Sequence, residues 1–395
     1  MDTPSMTRAA ALRLTGWAVA LLAMGGTASA DPLVPTDDSL VVLRIEMSPE
    51  QRELRALEQT VESDPADPIA VQTLVDACLR MGRRSAEPRY FGRAEALLAP
   101  WLDRPHAPQA LVLRMADIWQ YRHEYDRALA LLERVLAADP REPQALLMRA
   151  AIRQTRGRFD LARADCHTLL AHGEPMLGTV CLAQTLSMTG SLPRAERLLG
   201  SLLERASGIA PSQRVWMLTA LADMEERMGR ADAAELRLRQ ALEVDEYAHY
   251  ARLALADLLL DRGRAAEVPT LLAPMPQTEG TLLRLAEAER QRSPSTSAGA
   301  VLQARFQEAA LRGERLHRRD VARLQLRVIR DESAALALAR DNWQEQREPA
   351  DARLLAQAAV AMRDRAALVQ LRDWRKATGY QDRALDGILA LAEPS

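Results

Sequence analysis

The stretch AAIRQTRGRFDLA, residues 150–162, has alanine at its first position, glycine at its eighth and alanine at its thirteenth. The same spacing recurs in AQTLSMTGSLPRA (183–195) and ADMEERMGRADAA (222–234), with near-copies at 116–128 and 256–268. The steps between copies are 34, 33, 39 and 34 residues. A period near 34 residues is typical of helical hairpins that stack on their neighbours and bury a continuous core.

Each position of this pattern has a physical reason. Small alanine side chains let two helices cross with their backbones close together. Glycine adopts the left-handed conformation that ends a helix without a Cβ penalty. Proline ends one helix and starts the next, as Pro140 and Pro175 are placed to do. An aromatic or apolar residue follows the turn two positions later, at Tyr125, Phe159 and Leu192.

These residues resemble the tetratricopeptide repeat (TPR) family, over residues 105–270 most closely and over 64–392 more loosely. The resemblance implies an all-α, TPR-like, right-handed superhelical solenoid of antiparallel helix pairs. Three features depart from the family pattern: His123 in place of the turn glycine, Val268-Pro269 in place of the second alanine, and a five-residue excess around 207–211.

The pattern divides the chain into five segments. We expect a signal peptide at 1–30, an N-terminal tether or cap at 31–48, the solenoid at 49–274, a looser helix with a flexible Ser/Pro loop at 275–298, and degenerate TPR-like helices ending in a capping helix at 299–395. Helices are predicted in the last segment at 299–312, 319–331, 334–347, 350–363, 365–377 and 382–392. In the first hairpin, Gly82 is expected at the turn, before an inserted loop at 83–89.

The first thirty residues have the features of a secretory leader. Two arginines precede an apolar run at 14–24, and a small-residue Ala-x-Ala sequence ends at Ala30. We therefore expect cleavage after Ala30, whether translation starts at Met1 or Met6, and a periplasmic or secreted product. The apolar run is too short for a stable span, and no membrane span is expected after cleavage.

The amino-acid composition limits the classes of partner that we expect. The formal net charge is −2, and 27% of the residues are charged. This balance gives no reason to expect nucleic acid or an anionic membrane as a partner, and we expect neither.

The three cysteines allow two interpretations. Cys78, Cys166 and Cys181 are odd in number, which excludes a fully paired intramolecular set. The simpler interpretation is that all three are small buried apolar residues. The second is a Cys166–Cys181 disulfide between neighbouring helices, which an oxidising compartment would permit.

Signals for catalysis or cofactor binding are weak. The six histidines form neither HExxH nor HxxxH, and no phosphate-binding glycine motif or GxSxG motif occurs. We expect no enzyme activity, no cofactor and no metal site. Carboxylate pairs such as Glu225-Glu226 and Asp331-Glu332 are interpreted as solvated faces, as is the pattern of arginines spaced with Asp or Glu.

The predicted binding surface is the concave face. In TPR proteins the first helix of each hairpin lines this face, which binds peptides or partner helices. The family pattern assigns thirteen residues to it here: Asp117, Gln120, Tyr121, Gln154, Thr155, Gln184, Trp216, Asp223, Glu226, Arg227, Tyr250, Asp257 and Asp261. The later members include four carboxylates and two aromatics, which favours a basic or aromatic-containing segment. The alternative is an ordinary polar face with Trp216 and Tyr250 packed into the stack.

The leading functional hypothesis is a periplasmic adaptor that holds a protein or peptide partner of the cell envelope. The resemblance suggests envelope assembly, secretion or polysaccharide export as settings. Two alternatives stay open: a peptidoglycan-acting enzyme that includes a helical superhelix, and a regulator of a membrane-bound sensor.

Overall fold

The computed structural model describes residues 47–85, 87–104, 106–205, 207–294, 296–311 and 318–391. These residues form twenty α-helices, and no strand occurs among them. The predicted signal peptide at 1–30 lies outside the described residues, as does nearly all of the predicted tether or cap.

The helices are connected by short turns. Their bounds are α1 Pro49–Ser63, α2 Pro68–Ser85, α3 Pro88–Leu102, α4 Gln109–Tyr121, α5 Tyr125–Ala138, α6 Pro143–Thr155, α7 Phe159–Ala171, α8 Pro175–Ser187, α9 Leu192–Arg205, α10 Pro211–Arg227, α11 Ala231–Val244, α12 His249–Asp261, α13 Val268–Leu272, α14 Glu279–Arg292, α15 Ser297–Leu311, α16 Arg318–Leu324, α17 Glu332–Glu345, α18 Pro349–Ala361, α19 Arg365–Thr378 and α20 Arg383–Ala390. A 3₁₀ turn at Ala265–Glu267 precedes α13, and a π-helical turn at Gln325–Ile329 follows α16.

Successive helices pack as antiparallel pairs, from α2/α3 through α18/α19, and α20 packs on α18. The prediction of an all-α solenoid of helix pairs is therefore confirmed. The alanines of the repeat lie where the two helices of a pair cross, and all of them are buried: Ala116, Ala128, Ala150, Ala162, Ala183, Ala195, Ala222, Ala234 and Ala256. A larger side chain at such a crossing would overpack it, which costs about 1–3 kcal/mol.

Two local predictions need correction. Gly82 is not at a turn, because α2 continues to Ser85 and the expected loop shrinks to a short connection before Pro88. A Cβ at Gly82 would meet the Phe91 ring at 2.7 Å, so glycine serves here for close packing of α2 on α3.

The departures from the family pattern do not disrupt the fold. His123 has a positive φ of 60° and forms the turn that glycine forms elsewhere. Pro269 falls in the first turn of α13, which is only five residues long, so that helix pair has a short second member.

The cysteines follow the second of the two interpretations. Cys166 in α7 and Cys181 in α8 form a disulfide between adjacent helix pairs, with their Cα atoms 5.4 Å apart. Cys78 is free and buried in α2.

The first helix of each pair lies on the inside of the curved array. First helices of successive pairs pack against one another, from α2 with α4 through α16 with α18, whereas the second helices pack on the first helices of their own and the next pair rather than on one another. The side that carries α4, α6, α8, α10 and α12 is therefore concave.

The last helix pairs return to the middle of the array. The Arg347 backbone N–H donates to the Thr155 carbonyl at 2.7 Å, and the Leu192 N–H donates to Gln381 Oε1 at 3.1 Å. We call these contacts the closing interface. It is formed by His123, Thr155, Gly190 and Leu192 on one side and by Gln346, Arg347, Glu348, Gly379 and Gln381 on the other.

At Gly190, the closing interface leaves little room for a side chain. A Cβ there would lie 3.3 Å from the Gly379 carbonyl oxygen and 3.4 Å from its Cα. Gly263 has nearly the same φ, +73° against +75°, but a Cβ there would have no neighbour within 4 Å.

We therefore expect Gly190→Ala to lower the free energy of unfolding more than Gly263→Ala does. Both variants incur the left-handed backbone cost of about 1–2 kcal/mol, but only the first also pushes against the Gly379 backbone. Chemical denaturation of the two variants measures the difference. Equal losses would show that the closing interface contributes nothing at this turn.

Candidate functional site

The structure places all thirteen predicted binding residues on the first helices of five successive pairs. Asp117, Gln120 and Tyr121 are on α4, Gln154 and Thr155 on α6, Gln184 on α8, Trp216, Asp223, Glu226 and Arg227 on α10, and Tyr250, Asp257 and Asp261 on α12. Their helices share the concave side, but the contacts of the thirteen side chains differ along it.

The carboxylates of α12 contact arginines of the same chain. Asp257 Oδ2 accepts from Arg284 Nη2 at 2.6 Å, and its Oδ1 accepts from Arg323 Nη2 at 2.6 Å. Asp261 Oδ1 accepts from Arg327 Nη1 at 3.1 Å. The basic groups that the acidic face was predicted to attract are therefore already supplied by α14, by α16 and by the π-helical turn.

Buried Glu287 joins these contacts into a network. Its Oε2 accepts from Arg323 Nη2 at 2.9 Å and from Arg327 Nη1 at 3.2 Å. Burial alone would raise the pKa of Asp257, but the guanidinium groups of Arg284 and Arg323 hold that pKa well below its usual range. Asp257 is therefore ionised at every physiological pH.

Helix α10 makes a second set of internal contacts. Arg227 is buried, donates to the Ser187 carbonyl at 3.0 Å and lies over the Tyr380 ring, 5.4 Å from its centroid. Arg353 forms an ion pair with Glu226. Burial raises the pKa of Glu226, and the Arg353 guanidinium opposes that rise. In this arrangement Arg227 does not reach solvent, and Glu226 already has a cationic partner.

The residues on α6 are also engaged. Gln154 Nε2 donates to Thr185 Oγ1 at 2.7 Å, which ties α6 to α8. Thr155 Oγ1 donates to Glu348 Oε1 at 3.2 Å across the closing interface.

The two predicted aromatics of α10 and α12 differ in exposure. Trp216 is half-buried against the neighbouring core, as the packed alternative expected, whereas Tyr250 is 74% exposed.

A cleft of about 430 Å³ remains at the other end of the concave side. Helices α4 and α6 form one wall, and α16 and the α17–α18 junction form the other. Its lining residues are Asp117, Gln120, Tyr121, His123, Tyr125, Ile152, Thr155, Arg318, Arg319, Asp320, Asn342, Gln346 and Glu348. Four of the thirteen predicted residues therefore come together in one concave space.

Three neighbouring residues determine which groups the cleft can bind. Tyr121 stacks on Phe91 with ring centroids 4.3 Å apart and is still 52% exposed. Gln120 Oε1 is buried and accepts no hydrogen bond, which leaves an acceptor for an N–H donor. Asp117 forms an ion pair with Arg83 beside them.

Sequence reasoning missed the second wall of the cleft. It interpreted arginines spaced with Asp or Glu as solvated outer faces, whereas Arg319, Arg323 and Arg327 all point to carboxylates inside the array. The same interpretation is wrong for Glu225, which is buried and lies 3.5 Å from Arg237. The four-residue spacing from Arg319 to Arg327 marked one helical face, but nothing in it showed that the face pointed inward.

No family model and no curated protein matches the sequence significantly. Among solved structures, Cut9-Hcn1, an APC/C hetero-tetramer, is 13% identical, with a TM-score of 0.53 over 87% of this chain and 67% of that one. TTC0263, a TPR protein of Thermus thermophilus, is 25% identical over 52% of this chain and all of its own, with a TM-score of 0.36. A human IFIT1 dimer with m7Gppp-AAAA is 15% identical over 87% of each chain, with a TM-score of 0.45.

The fold and the concave cleft define a helical-repeat protein. More narrowly, the described part of the chain has the TPR fold, with paired helices, buried alanines and left-handed turns.

Within the described ranges, no group of three or more His, Cys, Asp or Glu residues is arranged to hold a metal ion. No helix in the same ranges has the length and apolarity of a membrane span. The expectations of no enzyme activity and no nucleic-acid partner stay predictions.

We expect Asp257→Asn to lower the free energy of unfolding by about 2–4 kcal/mol at pH 7, because it removes the charge that pairs with the largely buried guanidinium groups of Arg284 and Arg323. The folded pKa of Asp257 is depressed. Its contribution is therefore complete above the unfolded pKa of about 4 and is lost as the pH falls further. Denaturation of both proteins from pH 7 to pH 2 should show the difference shrinking below pH 4.

Asp160→Asn is the matched control. Asp160 is 93% exposed and pairs with Arg163 three residues on, so we expect a change within about 0.5 kcal/mol at any pH. Similar losses for the two variants would contradict a stabilising role for the Asp257 network.

Proposed function

We propose that the chain is a periplasmic scaffold that holds a segment of a protein partner in the cleft between α4, α6 and the α17–α18 junction. Envelope assembly, secretion or polysaccharide export would be its setting. The observation that carries this proposal is the accessibility of Tyr121 beside the unused acceptor of Gln120, inside a concave space of about 430 Å³. Volumes of this size are common for binding sites.

The lining favours a partner that brings N–H donors. Gln120 Oε1 accepts no bond, and three carboxylates line the cleft, of which Asp117 and Glu348 already pair with Arg83 and Arg319. An exposed tyrosine ring attracts a cation over its face. A basic side chain of the partner, inserted beside Tyr121, would lie on its exposed ring and bring a donor close to Gln120.

Two features support export to the periplasm. The first thirty residues have the sequence features of a cleaved leader. The Cys166–Cys181 disulfide supports the same compartment, because such bonds persist in the periplasm and are rare in the cytosol.

We expect a photo-crosslinking amino acid at Tyr121 to capture one protein partner in cells. Leu161 on α7 is equally exposed, at 52%, but lies on a second helix of the array. The same crosslinker at Leu161 should not capture that partner. Gln120→Ala should reduce capture from position 121 by about tenfold or more, as loss of a central contact does. Equal capture from both positions, or no effect of Gln120→Ala, would refute the proposed site.

The compartment has an independent test. After denaturation without reductant, protein isolated from cells that export it should offer one thiol to an alkylating reagent, that of Cys78. A variant that lacks residues 1–30 should stay in the cytosol and offer three. Mass spectrometry counts the added groups. Three reactive thiols in the full chain, or the same count in both proteins, would contradict export into an oxidising compartment.

A further inference from the structure

One guanidinium group pairs with two carboxylates at the start of α18. Arg319 Nη1 on α16 lies 2.7 Å from Glu348 Oε2 and 3.4 Å from Asp351 Oδ1. Asp257 has the opposite ratio, because two arginines pair with that one carboxylate. We call Arg319, Glu348 and Asp351 the shared-arginine cluster. When all three side chains are ionised, one positive charge faces two negative charges.

The backbone holds the two carboxyl groups of the cluster together. Asp351 is only 2% exposed. Its Oδ2 accepts from the Glu348 backbone N–H at 2.9 Å, and its Oδ1 accepts from Asn342 Nδ2 at 2.8 Å. The first of these bonds is part of the cap of α18, so the two carboxyl groups cannot separate without breaking that cap. Two carboxyl groups held this close in a buried place do not ionise independently.

The pKa values of the two carboxyl groups are pushed apart. Burial raises the pKa of Asp351 to about 6, with the charge of Glu348 adding to the rise and the Arg319 guanidinium opposing it. Burial also acts to raise the pKa of Glu348, but the Arg319 guanidinium and the bond from Thr155 hold that pKa below its usual value. A proton that the cluster takes up as the pH falls therefore goes to Asp351.

Several packed elements bring other ionisable groups near the cluster. They are Asp320 on α16, His123 in the α4–α5 turn, Tyr125 on α5, Tyr250 on α12, Glu345 on α17, and Asp382 before α20, which pairs with Arg353 of α18. Histidine is the side chain whose ordinary titration falls between pH 5 and pH 8. A test of Asp351 therefore needs a variant of His123 as well.

The cluster is also part of the closing interface. Glu348 Oε1 accepts from Thr155 Oγ1 at 3.2 Å, and the backbone N–H of Arg347 donates to the Thr155 carbonyl at 2.7 Å. Arg319, Asn342 and Glu348 line the cleft on the concave side. A change in the charge of the cluster therefore acts where two distant parts of the chain meet.

We propose that the start of α18 is a pH-sensitive switch: Asp351 takes up a proton as the pH falls from 7 to 5, and the closing interface becomes more stable. The proton removes the like charge beside Glu348 and leaves the Arg319 guanidinium to Glu348 alone. Glu348 then keeps its bond to Thr155 without repulsion from a neighbouring carboxylate. The same proton makes this wall of the cleft less negative by one charge. The switch does not depend on a protein partner.

Protonation of Asp351 favours the folded chain, because folding raises the pKa of this carboxyl group. An unfolded aspartate has a pKa of about 4, so between about pH 4 and pH 6 the folded chain binds a proton that the unfolded chain does not. The ionised group therefore destabilises the fold above pH 6, and this destabilisation is lost as the pH falls. A difference of about two pKa units limits the effect to about a hundredfold in the unfolding equilibrium constant.

The test is chemical denaturation of the full chain, as wild type and as Asp351→Asn, at several pH values from 7 to 4. Because asparagine does not titrate, the ratio of the two unfolding constants isolates Asp351. We expect the wild-type constant, relative to that of Asp351→Asn, to fall about fiftyfold between pH 7 and pH 4. Protection of the Arg347 backbone N–H from hydrogen exchange, corrected for its intrinsic pH dependence, should rise from pH 7 to pH 5 more in wild type than in the variant.

Three further variants separate this carboxyl group from its neighbours. Asp364→Asn is the matched control, since Asp364 also caps a helix and pairs with an arginine, Arg340, at 2.6 Å. It should follow wild type at every pH. His123→Asn removes the imidazole but tolerates the left-handed turn, and it should keep the change. Glu348→Gln leaves the Arg319 guanidinium to Asp351 and should make the change smaller.

A ratio of the wild-type and Asp351→Asn unfolding constants that stays the same from pH 7 to pH 4 would overturn the proposal. The same conclusion would follow if the change disappeared in His123→Asn, or if protection at Arg347 rose equally in wild type and Asp351→Asn. Should Asp351→Asn not fold, Glu348→Gln decides the question, because a pH dependence equal to that of wild type contradicts the shared arginine.

Discussion

The structure depends on the close crossing of two helices within each pair. Alanines such as Ala150 and Ala162 are fully buried at these crossings, so the two backbones approach without a cavity or a clash. Close crossing positions the left-handed turn that follows, and the turns then line up along one edge of the array. Both the concave side and the closing interface follow from that alignment.

The concave side is acidic by sequence but largely neutral in the folded chain. Arg323 and Arg327 meet Asp257, Asp261 and Glu287, and Arg353 meets Glu226. Desolvated ion pairs of this kind add little net stability over apolar contacts, but they are costly to break singly. They therefore fix which helix lies beside which, and they occupy the α10 and α12 part of the concave side, whereas the cleft beside Tyr121 stays open.

Much of the fold could be predicted from the sequence because its signals are local. The 34-residue period, the alanine crossings and even His123 as a turn residue depend on contacts within a helix pair or between neighbours. The closing interface could not be predicted in this way. Thr155 and Glu348 are 193 residues apart, and a repeat pattern says nothing about which distant turn a later junction will meet. For the same reason the sequence indicated only one wall of the cleft: α4 and α6 were identified, and the wall from the C-terminal helices was not.

The closing interface also changes how the array should come apart. In an open solenoid each unit contacts only its neighbours, so terminal units fray first and stability is roughly a sum of local terms. Here Gly379 and Gln381 near the chain end contact Gly190 and Leu192 near its middle. Releasing the terminal helix pairs would also expose internal ones. The array should therefore unfold as one cooperative unit rather than pair by pair from its ends.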